Sequence, residues 1–120
     1  MKNEGYEILI VKVESPGANY TRTKQFEGRW IIRKFVSEDS NVQYCVAETK
    51  HGRLVITSDS RQFSGEDRAE DFKVFEDLLD LRIHNAKVKK GVKEGDIYPE
   101  NLVDAIAAEL GEEHIQALNI

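Results

Sequence analysis

Residues 29–57 read RWIIRKFVSEDSNVQYCVAETKHGRLVIT, three runs of β-favouring residues separated by two polar segments. The runs cover residues 29–36, 42–49 and 54–57, and each has the length of an ordinary strand. Gly52 lies in the second polar segment and tolerates the backbone conformation that a tight turn requires. Because both connections are too short for a parallel crossover, this stretch predicts three consecutive antiparallel strands.

Two further strands are predicted on the N-terminal side of this stretch. Residues 6–13 carry apolar side chains at every second position, as a strand with one buried face requires. These residues are Leu9, Val11 and Val13. A Ser-Pro-Gly-Ala-Asn turn at residues 15–19 joins this strand to a second one at residues 20–26. Gly28 then interrupts the pattern, and we predict a β-bulge or a corner there.

The C-terminal half of the sequence predicts helices. Residues 71–84 fit either a strand at 71–75 followed by a helix at 77–84, or one continuous helix. Residues 85–96 are rich in lysine and glycine and predict a mobile loop. Residues 99–110 predict an amphipathic helix, with a proline in its first turn and a glycine just after its end.

The order of these elements predicts the fold class. The apolar tail at residues 115–120 predicts an added strand, because an apolar terminus is usually tied to the rest of the fold. The chain is therefore expected to be a single α+β domain over residues 1–120. Its architecture is an antiparallel β-meander of about five to six strands packed against the C-terminal helix, with one short additional helix.

Composition and charge exclude several classes of protein. The chain has 120 residues, of which 40% are hydrophobic and 32% charged, with a net charge of −5. This composition is globular, and its acidity argues against nucleic-acid binding. With no long apolar run and no apolar signal region near Met1, a cytoplasmic location without membrane association is expected. Cys45 is the single cysteine, which excludes an internal disulfide.

Positive charge is concentrated in the first strands although the whole chain is acidic. Six basic residues lie between positions 12 and 34, whereas the second half of the chain is strongly acidic. These residues are Lys12, Arg22, Lys24, Arg29, Arg33 and Lys34. The distribution predicts a positive stripe on the sheet, which is a feature of binding surfaces.

Short motifs along nearly the whole chain resemble the EXLDI family, small bacterial proteins with a C-terminal Glu-x-Leu-Asp-Ile motif. The stretches that carry the resemblance are Gly5–Ile8, Phe26–Arg29, Thr49–Arg53, Tyr98–Gly111 and Gln116–Ile120. Gln116 and Asn119 stand where the family motif has Glu and Asp, so the charges are lost while oxygen acceptors remain. The resemblance therefore implies a structural role for the tail rather than a catalytic one.

The resemblance also bears on DNA binding. Longer members of the family carry, ahead of this region, a segment that resembles a ribbon-helix-helix element. This sequence begins directly at the first predicted strand, so a DNA-binding role is not expected of it. The family brings no established activity with it.

No motif for catalysis, metal binding or cofactor binding is present. His51, His84 and His114 are far apart and form no metal-ligand spacing, and the glycines form no phosphate-binding loop. The acidic residues between positions 66 and 80 lack the alternation of a calcium loop and predict a solvated face. We therefore predict no catalytic residue, no metal site and no cofactor.

Five residues on the predicted strands are the candidates for a binding surface. They are Arg29, Trp30, Arg33, Tyr44 and Arg53. Trp, Tyr and Arg are enriched in binding hot spots. The alternative is that the two aromatic residues belong to the core and the arginines are solvated.

Two functional hypotheses follow. The first is a non-enzymatic binding or regulatory module that recognises a protein partner or self-associates as an oligomer. The second is a small-ligand-binding protein or minor enzyme with a pocket between the sheet and the C-terminal helix.

Overall fold

The computed structural model describes residues 5–14, 21–38, 41–60 and 67–111. The chain divides into two compact units, Met1–Val74 and Phe75–Ile120. The first unit contains nearly all of the β-sheet, and the second contains both helices. The predicted turn at residues 15–19 and the predicted tail strand at 115–120 lie outside the described residues, as does His114.

The described residues form a sheet of six strands in the spatial order β5-β1-β2-β3-β4-β6. They are β1 (Glu7–Glu14), β2 (Thr21–Val36), β3 (Gln43–Thr49), β4 (Leu54–Asp59), β5 (Arg68–Ala69) and β6 (Asp71–Phe75). Strands β1 to β4 pair with their sequence neighbours in antiparallel fashion. The predicted antiparallel meander is thereby confirmed for β1 to β4. Together with the helices of the second unit, the sheet confirms the α+β class.

The pairing of β5 departs from the predicted antiparallel sheet. Strand β5 runs parallel to β1, with Lys12 opposite Arg68, and the Lys12 N–H donates to the Asp67 carbonyl at 2.8 Å. Immediately afterwards, the Glu70 N–H donates to the Ser58 carbonyl on β4 at 2.9 Å. One short segment thus contacts β1 and β4, which lie apart in the sheet, and the sheet curls. A two-residue strand in a polar, turn-rich stretch has no alternation that could predict it.

Strand β2 is one continuous strand of 16 residues, where the sequence predicts two strands with a break at Gly28. Gly28 is buried and paired on both sides, with Glu7 and with Thr49. A Cβ at this position would lie 2.8 Å from the Glu48 carbonyl oxygen and 2.9 Å from a ring carbon of Phe26. Glycine is needed here for close approach, and the register shifts occur later, after Trp30 and after Ile32.

The core of the first unit lies on one face of the curled sheet. The predicted buried face of β1 is confirmed, since Leu9, Val11 and Val13 are buried while Ile8 and Ile10 are about half exposed. Around them lie the buried Ala47, Val55 and Ala69 and the partly buried Phe26, Trp30 and Phe72. Strands β3 and β4 are buried on both faces, which explains their nearly continuous apolar runs.

The second unit contains helices α1 (Leu78–Lys89) and α2 (Glu100–Leu110). The strand-plus-helix interpretation of residues 71–84 is correct, because β6 ends at Phe75 and Asp77 then caps α1 by accepting a hydrogen bond from the Asp80 N–H. Helix α1 continues through residues 85–89, which the sequence places in a loop. Helix α2 begins one residue after Pro99, close to its predicted start.

The connection between the two helices is held by side chains of α1. The Asn85 side-chain amide donates to the Tyr98 carbonyl at 3.1 Å and accepts from the Tyr98 N–H at 2.9 Å. The His84 Nε2 lies 2.9 Å from the Asp96 carbonyl, and its ring packs against Phe75 and Tyr98. Among the described residues, no helix is long and apolar enough to cross a membrane.

Candidate binding cleft

A cleft of about 380 Å³ opens in the first unit beside the turn between β3 and β4. Strand β2, the turn, β4 and β6 all contribute to its walls. The lining residues are Lys24, Gln25, Phe26, Glu27, Thr49, His51, Arg53, Val55, Phe72 and Val74. This volume lies within the range of small-ligand sites.

The apolar part of the cleft is built on an aromatic pair. The Phe26 and Phe72 rings meet edge to face with centroids 5.9 Å apart. Trp30 packs against Phe26 at 6.5 Å, also edge to face, and belongs to the same core. These contacts hold the two phenylalanine rings in place, so the cleft has a preformed apolar surface.

The turn that carries His51 and Arg53 is fixed by hydrogen bonds. The Gly52 N–H donates to the Thr49 carbonyl at 2.9 Å, and the Arg53 N–H donates to Thr49 Oγ1 at 3.0 Å. Gly52 has a φ of 84°, which favours glycine, and it fills the role that the sequence predicts for it. The Lys50 N–H donates to the Glu27 carbonyl at 2.9 Å and ties the turn to β2.

Positive charge surrounds this apolar surface. Lys24 Nζ lies 6.0 Å from the centroid of the Phe72 ring, and the structure places no carboxylate of a described residue at ion-pair distance from it. Arg53 adds a second cation to the lining. Among the described lining residues the one carboxylate is that of Glu27, whose Oε2 lies 3.5 Å from Lys50 Nζ. On a chain of net charge −5, the cleft is locally suited to an anionic group.

The cleft lies along the edge of β2 rather than on one of its faces. Residues 24–27 are consecutive and therefore point alternately to both faces of the sheet, yet all four line the cleft. On one side β2 pairs with β1 from Thr21 onward, whereas on the other side its pairing with β3 begins only at Gly28. Within the described part of the chain, Thr21–Phe26 thus has one edge without a strand partner.

A second basic–aromatic cluster lies further along β2. Arg29 donates to Glu48 Oε1 from Nη2 at 2.8 Å and from Nε at 3.2 Å, and its guanidinium carbon lies 5.4 Å from the Tyr6 ring centroid. The Tyr6 hydroxyl donates to the same carboxylate oxygen at 3.2 Å. Burial and the Glu48 charge raise the pKa of Tyr6, and the hydrogen bond to Glu48 raises the pKa of Arg29.

The five predicted binding residues do not share one surface. Arg53 lines the cleft, and Trp30 packs behind it against Phe26. Arg29 is engaged with Glu48, Arg33 is exposed on β2, and Tyr44 is buried on β3 opposite Phe35. Because Arg29 and Trp30 are adjacent in a strand, their side chains point to opposite faces.

The sequence pattern does not indicate the two aromatic residues of the cleft, Phe26 and Phe72, as binding residues, and it indicates Lys24 only as part of the basic stretch. That concentration of lysine and arginine in β2 was the available signal. Phe72 cannot be connected with this basic stretch from the sequence, because Phe72 is distant from it along the chain and the two meet only when the sheet curls.

A larger hollow of about 520 Å³ is a weaker candidate. The described residues that line it are all polar: Lys12, Glu14, Thr21, Thr23, Asp67 and Arg68. Arg68 Nη2 forms an ion pair with Glu14 Oε1 at 2.7 Å. The described lining offers a ligand no apolar side chain to bury, and the described residues hold no cluster of His, Cys, Asp or Glu suited to a metal ion.

Comparison of the chain with protein-family models, with curated proteins and with solved structures found no match.

Proposed function

We propose that this chain is a non-enzymatic binding module whose ligand occupies the cleft beside β2 and combines an apolar group with a negative charge. The observation that carries the proposal is the combination of the Phe26–Phe72 surface with the Lys24 ammonium group directly above it. Ligand sites typically join an apolar lining to a few placed polar groups that orient the ligand.

Both parts of the cleft favour such a ligand. An apolar group that covers the phenylalanine rings gains about 25 cal/mol for each Å² removed from water. A negative charge beside Lys24 and Arg53 gains Coulomb energy, and both cations lie at the protein surface, so their desolvation cost is small.

The test uses anilinonaphthalene sulfonate, a fluorescent aromatic anion with both features. We expect saturable binding at low ionic strength, accompanied by a change in the fluorescence of Trp30, the single tryptophan. Trp30 reports on the cleft because its ring packs against Phe26. Binding should weaken with added salt, because exposed charges are screened.

Two matched variants locate the dye. Val74 lines the cleft and is 50% exposed, so Val74→Glu adds a negative charge without disturbing the core, whereas Val74→Gln adds nearly the same volume and no charge. We expect Val74→Glu to weaken dye binding about fivefold or more through repulsion, and Val74→Gln to change it much less. Equal affinities in the two variants, or the absence of dye binding to the native protein, would contradict the proposal.

A further inference from the structure

The edge of β2 beside the cleft indicates what kind of ligand the site takes. We propose that the ligand is an extended peptide segment of a partner protein, which adds as a strand to the Thr21–Phe26 edge and places an acidic and an apolar residue, two positions apart, in the cleft. The inference rests on the proposed function, since it names the ligand of the same site.

The backbone groups of β2 are oriented for strand addition. The Glu27 carbonyl accepts a hydrogen bond from Lys50, on the side of β2 that faces β3. Thr23 and Gln25 have the same parity along the strand, so their N–H and C=O groups point to that side, where no described strand is present. An added strand would continue the line of β3 past the turn, and the cleft provides space for it.

The side chains beside this edge set the preferred sequence. Lys24 and Phe26 lie on the same face of β2, because they are two residues apart, and Lys24 stands over the Phe72 ring that packs on Phe26. A residue directly across from Lys24 meets its ammonium group, which favours Glu or Asp. The residue two positions along the peptide lies across from Phe26 and meets the aromatic pair, which favours an apolar side chain.

The charge of the edge favours an acidic peptide over a second copy of the chain as its occupant. The edge has no acidic side chain of its own over Thr21–Phe26, and Arg22 and Lys24 lie within it. Two copies paired edge to edge would bring like charges together, which is unfavourable. An acidic, apolar segment of another protein is complementary in both respects.

The experiment uses an end-capped peptide, Thr-Val-Thr-Glu-Thr-Val-Thr. A valine stands two positions from the central Glu on each side, so that the peptide can place a valine across from Phe26 in either chain direction. The peptide has no aromatic residue, so Trp30 fluorescence reports its binding, with calorimetry as the independent measurement. We expect saturable binding that displaces anilinonaphthalene sulfonate, and much weaker binding of the peptide with Lys in place of Glu.

Methylation of backbone nitrogens tests the strand pairing itself. In one peptide the Glu nitrogen is methylated, and in the other the nitrogens of the two threonines next to Glu. Since alternate N–H groups of an added strand face β2, one of the two peptides should lose about tenfold or more in affinity while the other keeps it. Equal affinity of both methylated peptides would overturn the inference.

The charge contact is tested by a pair of lysine variants. Lys24→Met removes the ammonium group and keeps an apolar stem over Phe72, while Lys73→Met removes an equal charge on β6 from a residue that does not line the cleft. We expect Lys24→Met to weaken peptide binding about two- to fivefold and Lys73→Met to leave it unchanged. Equal losses in both variants would indicate non-specific attraction and overturn the inference.

The remaining outcomes separate the two proposals. Dye binding without peptide binding overturns the strand addition and leaves the proposed function standing, whereas the failure of both ligands overturns both. A concentration-dependent dimer that Thr23→Pro dissociates would show that a second copy occupies the edge, which also overturns the inference.

Discussion

Strand β2 presents a basic residue to an aromatic ring at two places, and the two places differ in one respect. At Arg29 the cation lies over the Tyr6 ring and forms an ion pair with Glu48, whose Oε1 also accepts a hydrogen bond from the Tyr6 hydroxyl. At Lys24 the cation lies over Phe72, beside a cleft and without a carboxylate partner among the described residues.

The difference shows how a countercharge decides the role of a basic residue. Glu48 lies on β3 opposite Arg29, and Tyr6 comes just before β1, so the Arg29 cluster connects three neighbouring segments of the sheet. Lys24 lies before the point where β3 begins to pair with β2. Among the residues that the structure describes, it therefore has no cross-strand carboxylate, and its exposed ammonium group is accessible to a ligand.

The largest effect is expected from Gly28, which lies between the two places. Gly28→Ala would bring a methyl group against the Glu48 carbonyl and the Phe26 ring, and we expect it to destabilise the protein by about 1–3 kcal/mol. Because the displaced Phe26 ring forms part of the cleft, dye binding should weaken as well. Urea unfolding measures the loss, with the exposed Thr23→Ala on the same strand as control; an unchanged unfolding midpoint in Gly28→Ala would contradict the close approach.

A smaller effect is expected from Glu48→Gln, which removes the charge at the Arg29 cluster. The Arg29 side chain is 44% exposed and solvent screens the ion pair, so we expect a loss of about 0.5–1 kcal/mol in the free energy of unfolding. Lys24→Met should stay within about 0.5 kcal/mol of the native protein. For ligand binding we expect the opposite order, with a greater loss of affinity in Lys24→Met than in Glu48→Gln. A greater loss of stability in Lys24→Met than in Glu48→Gln would contradict the difference between the two sites.

The smallest effect concerns the titration of Tyr6. Burial and the nearby Glu48 charge hold the pKa of Tyr6 above its ordinary value of 10.0. Because its pKa is higher in the folded state, folding favours the protonated, neutral phenol. This contribution to stability is present below pH 10.0 and is lost as the pH rises through the folded-state pKa. Glu48→Gln should lower this pKa, measured from phenolate absorbance with Tyr6→Phe as the reference; an unchanged value would mean that the hydroxyl does not sense Glu48.

Much of the fold could be predicted from local patterns. The alternation of Leu9, Val11 and Val13 predicted the buried face of β1, and the position of Gly52 predicted the β3–β4 turn. The apolar spacing of residues 99–110 predicted α2 to within one residue. Each of these features depends on neighbours a few residues away, where alternation, helical spacing and turn residues act directly.

The errors have a common cause as well. The sequence pattern indicates a local break at Gly28, but a residue without a side chain is required there by the Glu48 backbone, which is distant in sequence. The sequence predicts that helix α1 ends at residue 84, because the residues that follow are poor in apolar side chains, whereas the helix continues to Lys89. His84 and Asn85 instead hold the following loop through Asp96 and Tyr98, contacts that no local pattern reveals.

The candidate site depended on tertiary structure to a greater degree than the fold. Local sequence was sufficient for the strands, for the basic stretch in β2 and for the suggestion that its positive charge serves recognition. Only the curling of the sheet brought Phe72 to Phe26 and Lys24. Only the late start of the β2–β3 pairing left the adjacent edge without a strand partner in the described part of the chain. Strand periodicity specifies which face a side chain occupies, but the partner of an edge and the walls of a cleft come from segments far apart in the chain.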